Sequence, residues 1–156
     1  MSVLQFTRRA ALAATVAWAA SSATESAAAR LQPAGGVRVD VGPLLGNSGE
    51  PTAGWVAQEL PRAIAAALAA SGQGGTPVSV RIDYVILGPN SGGVGPAGSS
   101  PDQMIGEVTR GGVTAPLRAT SYYYPAAPDA AMIEQSNYNR VANLCQAFAG
   151  WVAKGY

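Results

Sequence analysis

From Val78 to Leu87 the chain reads Val-Ser-Val-Arg-Ile-Asp-Tyr-Val-Ile-Leu, with an apolar residue at every second position of its first seven. Strand side chains point alternately to opposite faces, so this pattern predicts a β-strand with one buried face carrying Val78, Val80, Ile82, Tyr84 and Ile86. Its far end is apolar on both faces, which predicts a central strand. A half-apolar sheet must be covered by another layer, and the segments on either side of this run supply it.

Upstream, Val37-Arg38-Val39-Asp40-Val41 alternates in the same way and predicts a second strand, ended or bent by Gly42-Pro43. Residues 46–51 are rich in turn formers, and Thr52 stands where a helix N-cap would. Between Trp55 and Ala70 the residues Val56, Leu60, Ile64, Ala67 and Leu68 recur at helical spacing and predict an amphipathic helix. Pro61 falls inside it, which predicts a kink or a new helix start, and Ser71-Gly72 closes it. Downstream, Gly88 to Pro101 is a Gly/Pro-rich loop. Ile105–Arg110 and Leu117–Tyr124 then read as two strands of a hairpin with an irregular connection at Gly111-Gly112. A last helix, capped by Asp129, carries the stripe Ile133, Val141, Leu144, Cys145, Phe148, Trp151 and Val152. It frays at Gly150 or Gly155.

The order predicts an α+β fold of two layers, β-α-β-β-β-α: four strands with two helices on one face. Residues 30–156 suffice for a single small domain of this kind. The two upstream strands share an echo, apolar-Arg-apolar-Asp-apolar, at 37–41 and 80–84. Parallel pairing in equal register would set like charges opposite one another. Antiparallel pairing, or a parallel register shifted by two, would bring opposite charges together.

Composition narrows the chemistry. The 156 residues include no histidine and one cysteine, with 10 Lys plus Arg against 9 Asp plus Glu. The commonest proton shuttle and metal ligand is therefore absent. An intrachain disulfide and multi-cysteine metal sites are excluded. Charged residues make up 12% of the chain, with no basic stripe, which argues against a nucleic-acid partner.

The loop 88–101 is glycine-rich, but no Gly-Lys-Ser/Thr follows it and no helix opens there, so neither the P-loop nor the dinucleotide fingerprint is met. The nucleophile-elbow pattern is absent as well. A Ser–Lys pair would have to recruit Lys154, the only lysine. No cofactor is expected. Asp40, Asp83, Glu107 and Glu134 are the carboxylates from which a hydrolytic acid–base pair would have to be drawn. Tyr122-Tyr123-Tyr124 is the most distinctive aromatic cluster, an aromatic contact surface if not core packing, and Asn90 and Ser91 offer polar contacts in the long loop. Cys145 lies in the last helix's stripe as a buried thiol, and Trp55, Phe148 and Trp151 read as core. Asn137, Tyr138, Asn139 and Arg140 read as an exposed polar turn with one inward tyrosine.

At the N-terminus, Arg8-Arg9 precedes the apolar run Ala10–Ala20, and small residues lead to Ala27-Ala28-Ala29. A positive start, a short apolar centre and an A-x-A site are the parts of a cleavable secretory signal, here residues 1–29. The apolar run is about half the ~20 residues that span a bilayer. Thr7-Arg8-Arg9-Ala10-Ala11-Leu12 resembles the twin-arginine type of signal, in which Ser/Thr-Arg-Arg is followed by two residues and Leu. The resemblance covers residues 1–29 alone and implies export of a folded protein; general secretion is the alternative route. Removal of Arg8, Arg9 and Glu25 leaves equal numbers of acidic and basic residues. The expectation is a periplasmic or secreted protein without a transmembrane segment, non-catalytic, that binds another envelope protein or a small ligand. A carboxylate-dependent envelope hydrolase and a self-associating structural protein are the alternatives.

Overall fold

The computed structural model describes residues 36–88, 101–122 and 132–155. Residues 1–29, for which a signal is expected, and Asn90, Ser91, Tyr123, Tyr124 and Asp129 lie outside the described residues. The elements run β1 (Val37–Asp40), α1 (Gly42–Asn47), α2 (Thr52–Ala70), β2 (Val78–Ile86), β3 (Asp102–Arg110), β4 (Val113–Ser121) and α3 (Ile133–Lys154). One mixed sheet has the order β1-β2-β3-β4, parallel between β1 and β2 and antiparallel thereafter. The two long helices α2 and α3 cover one face, giving the α+β two-layer arrangement that the periodicities predict.

The β1–β2 pairing answers the question posed by the charge echo. Val37 lies opposite Val78 and Val39 opposite Val80, so the parallel register is displaced by two residues from the echo. Asp40 therefore meets Arg81, and opposite charges are neighbours. Arg81 also reaches Asp83 within its own strand (3.1 Å) and Glu107 on β3 (3.4 Å).

β2 departs from its predicted phase. The β2–β3 register shifts between Ile82 and Tyr84, so that Ile82 opposes Gly106 while Tyr84 opposes Ile105. Asp83 is the extra residue of a β-bulge, and a one-residue insertion sends every later side chain to the other face. Val78, Val80 and Ile82 are buried, but beyond the bulge Val85 takes the core position while Tyr84 and Ile86 are exposed, correcting the alternation expected for them. Gly106 makes this geometry possible. A Cβ there would lie 2.2 Å from the Arg81 carbonyl oxygen and 3.0 Å from Ile82 Cδ1.

The core joins Val37, Val80, Ile82, Met104, Val108 and Ala119 of the sheet to Val56, Leu60, Ile64 and Leu68 of α2 and Val141, Leu144, Cys145, Phe148 and Val152 of α3. Two residues assigned to the α3 stripe sit outside it. Ile133 and Trp151 are 44% and 47% exposed. They lie on the same side of the helix as buried Arg140 and Leu144, but in its first and last turns. Trp151 there receives the Lys154 ammonium, 5.0 Å from its ring centroid.

Three local expectations change. The segment after β1 is not merely a turn: it forms α1, with Pro43 in its first turn and Leu44 buried. Asn47 and Ser48 at its end then hydrogen-bond the β2 edge that four-residue β1 leaves uncovered. Asn47 Nδ2 donates to the Asp83 carbonyl (2.9 Å) and Ser48 Oγ to the Val85 carbonyl (3.2 Å). These side chains stand in for a missing strand partner. Thr52 is the first helical residue, not the cap; Glu50 caps instead, accepting from the Gly54 N–H at 3.1 Å. α2 runs unbroken through buried Pro61, whose packing into the core compensates for the absent donor.

The expected stop at Ser71-Gly72 is a Schellman closure. Gly72 (φ +73°) lets its N–H reach Ala69 O and the Gln73 N–H reach Leu68 O. The hairpin connection is regular: Gly111 and Gly112, both at positive φ, make a two-residue turn between Arg110 and Val113. β3 begins at Asp102 and β4 ends at Ser121, both earlier than expected, and α3 passes through Gly150 to end at left-handed Gly155. Among the described residues no helix is long and apolar enough to cross a membrane.

Candidate functional site

Two surfaces carry features that packing alone does not require. The first is the sheet face opposite the helices. The registers set Tyr84, Ile105 and Arg118 in one row across β2, β3 and β4, and Ile86, Gln103 and Thr120 in the next. Tyr122, just past β4, is 62% exposed, and Tyr84 and Ile86 are each 47% exposed. At its other end the same face is polar: Arg81 bridges Asp83 and Glu107, and the Thr109 and Thr114 hydroxyls pair at 2.8 Å. The bulge at Asp83 thus divides the face into an ionic half and an aromatic-aliphatic half. Arg118 supplies a charge that forms no ion pair among the described residues.

The second lies against α2 and α3. Trp55 and Tyr138 meet edge to face, their ring centroids 5.8 Å apart and their planes at 84°. With Glu134 and Gln135 from the first turn of α3 they line an open pocket of about 360 Å³. The Tyr138 hydroxyl donates to Glu59 Oε1 at 2.8 Å, and Arg62 approaches the same carboxylate at 4.0 Å. The hydrogen bond to Glu59, then desolvation and the negative charge of Glu59, raise the Tyr138 pKa above the ordinary phenol value. Tyr138 is the inward tyrosine of the polar turn, as expected; Trp55, read from the sequence as core, is only partly buried.

A buried ionic clamp joins Gly88 and Asp102 to α3. Asp102, on the core face at the start of β3, and Arg140 of α3 are 3% and 5% exposed. Arg140 Nε donates to Asp102 Oδ2 (2.8 Å), and its Nη2 donates to the Gly88 carbonyl (2.5 Å) and to Asp102 Oδ1. The Gly88 N–H completes the set on Asp102 Oδ1 at 2.8 Å. Both ends of the segment between Gly88 and Asp102 are thereby fixed to one helix. The sequence reading puts Arg140 on an exposed face and does not single out Asp102; the structure corrects both. The signal is present, since Asp102, Met104, Gly106 and Val108 alternate and Arg140, Leu144 and Phe148 recur every four residues. At the opposite end of β3, Arg110 Nη2 donates to Gln73 Oε1 (2.5 Å) and Nη1 to the Val152 carbonyl (3.5 Å).

The predicted site residues are not gathered into one place. Tyr122 borders the uncovered sheet face. Asp83 and Glu107 share one guanidinium on that open face, with Asp40 beside it in register, whereas Glu134 lies at the helical pocket. Cys145 is buried and free, its thiol pKa pushed up to about 12, first by desolvation and then by the charge of Glu59. Among the described residues no group of three or more His, Cys, Asp or Glu side chains is arranged to hold a metal ion. Comparison with protein-family models, with curated proteins and with solved structures found no match to the chain.

Proposed function

We propose that this chain is an exported, periplasmic protein that acts by binding, without catalysis, as an accessory to another protein of the envelope. The observation that supports this reading is the divided outer face of the sheet. An aromatic-aliphatic group of Tyr84, Ile86, Ile105 and Tyr122 lies with Arg118 on a surface that α2 and α3 leave uncovered. Interfaces draw their energy from such aromatic and arginine anchors. The partner that fits is a protein with an apolar patch and a carboxylate to meet Arg118. The near-neutral balance of the chain gives little long-range attraction, so recognition is short-ranged.

The test is a crosslinking pull-down from the source envelope with the chain as bait, beside an export-matched unrelated domain. One defined partner is expected, lost with Tyr84→Ser/Ile86→Ser or Arg118→Glu and retained with Thr114→Ala at the polar end of the face. Recovery of the chain itself as the sole crosslinked species would favour the self-associating alternative. Turnover of an envelope substrate, abolished by Asp83→Asn or Glu107→Gln, would favour the hydrolase. Export is tested separately: the mature N-terminus is expected at Arg30 in the periplasmic fraction. Arg8→Lys/Arg9→Lys should block a twin-arginine route and leave general secretion unaffected.

A further inference from the structure

We infer that the pocket lined by Trp55, Glu134, Gln135 and Tyr138 binds an organic ammonium cation. Its two aromatic rings stand almost perpendicular, so a guest in the corner meets more than one π surface. The negative face of an aromatic ring attracts a cation, and an aromatic corner with a carboxylate at its rim is a recurring means of holding alkylammonium groups. The volume of about 360 Å³ falls in the ordinary range for small-molecule sites, roughly 300–1,000 Å³.

The charge at the rim decides between ligand classes. The Tyr138 hydroxyl spends its proton on Glu59, and Gln135 Nε2 donates to Asn139 Oδ1 at 3.0 Å. What these side chains leave for a guest is the Glu134 carboxylate, the Gln135 carbonyl oxygen, the second Gln135 N–H, the Trp55 indole N–H and the two rings, a set whose one full charge is negative. An anion would face repulsion from Glu134 and Glu59. A neutral sugar would find donors and acceptors but leave the Glu134 charge unmatched. A cation carrying N–H or polarised N–CH3 groups matches the set that is offered. Arg62 is the nearby positive charge, and it is engaged at 4.0 Å with Glu59, leaving Glu134 as the uncompensated rim charge. Pocket and sheet face belong to different layers, so cation binding here does not depend on a protein partner there.

The test uses the full chain and choline chloride as the probe, followed by the indole N–H resonance of Trp55, identified by its loss in Trp55→Phe. A saturable shift is expected, with a Kd of about 1 mM or weaker, as suits cation–π contacts in an open site with an exposed carboxylate. The neutral isostere 3,3-dimethylbutan-1-ol should give no saturable shift. Glu134→Gln should weaken choline binding by about 2- to 5-fold, and Trp55→Leu, followed on the Gln135 side-chain amide, should abolish it. Sedimentation with phosphatidylcholine vesicles distinguishes the sources of the cation: co-sedimentation that free choline competes away assigns a lipid headgroup, and choline binding without sedimentation assigns a free amine. Equal response to choline and the alcohol, or an affinity unchanged in Glu134→Gln, would overturn the inference. So would no response to choline at about 50-fold over the expected Kd. Glu134 is exposed on the first turn of α3, so its variant tests the site without the fold as a confounder.

Discussion

Gly106 offers the sharpest test of the architecture, because a single methyl group there is expected to act against the bulge. The added Cβ of Gly106→Ala would lie 2.2 Å from the Arg81 carbonyl oxygen, a backbone atom that no rotamer change can move aside. β2 and β3 would have to separate by about 1 Å to restore ordinary contact, weakening the ladder on both sides of Asp83. Overpacking of this kind costs about 1–3 kcal/mol and at times more. The loss of glycine freedom in the unfolded chain returns about 0.4–1 kcal/mol. The net expectation is about 1–2 kcal/mol of destabilisation, a urea midpoint lowered by about 0.5–1 M with little change in slope. Gly150→Ala is the matched control. It sits inside α3 with nothing within 4 Å of where the new methyl group would stand, and should instead stabilise by about 0.5–1 kcal/mol. If Gly106→Ala unfolded within about 0.5 kcal/mol of the parent, the close approach at the bulge would be refuted. The exposure of Tyr84 and Ile86 would then need another cause.

Other substitutions probe the remaining contacts. Asp102→Ala should cost about 3–5 kcal/mol, since it withdraws a carboxylate from a guanidinium held in the core; Asp102→Ala/Arg140→Leu should cost less than the two single changes added together. In the native chain Cys145 should not react with a soluble disulfide reagent until urea unfolds the protein, and reaction at the native rate of an exposed thiol would contradict its burial. Because the Cys145 pKa is raised to about 12 in the folded state, its contribution is intact below the unfolded value near 9 and is lost as pH rises. Stability should fall between pH 9 and 12 by about 1.4 kcal/mol per pH unit from this group, a slope that the difference between parent and Cys145→Ala isolates. Tyr84→Ser/Ile86→Ser removes exposed side chains only, so its unfolding midpoint should stay near that of the parent while partner capture is lost.

The parts of this fold legible in the sequence are those in which one periodicity persists. Val37–Asp40, Val56–Leu68 and Val141–Val152 keep their phase from end to end, and their buried faces are where spacing puts them. β2 changes phase at Asp83, and a bulge is a property of two strands together. Its sequence trace, Gly106, lies more than twenty residues away on β3, where an isolated glycine marks close approach only once its neighbour is known. The helical pocket is hidden for a related reason. Trp55 and Tyr138 belong to different helices, and each alone reads as a residue of an amphipathic stripe. Asp102 and Arg140 are hidden because charged residues at apolar spacing are ordinarily surface residues, and only the tertiary pairing removes the cost of burying them.

The same pairings explain why the two surfaces sit on so small a protein. β3 is fixed to α3 at both ends, by Asp102 with Arg140 and by Arg110 with the Val152 carbonyl and Gln73. A strand held at both ends cannot slide to absorb the extra residue on β2, so the insertion must appear as a local bulge beside Gly106. That bulge turns Tyr84 and Ile86 outward, into the row with Ile105 and Arg118. In the helical layer, anchoring α3 fixes the height of Tyr138 against Trp55 of α2. Weakening the Asp102–Arg140 clamp should therefore disturb both surfaces, whereas Tyr84→Ser/Ile86→Ser should leave the Trp55 indole resonance in place. An Asp102→Asn protein that stayed folded, yet kept partner capture and the Trp55 resonance unchanged, would show that β3 is positioned by the core alone.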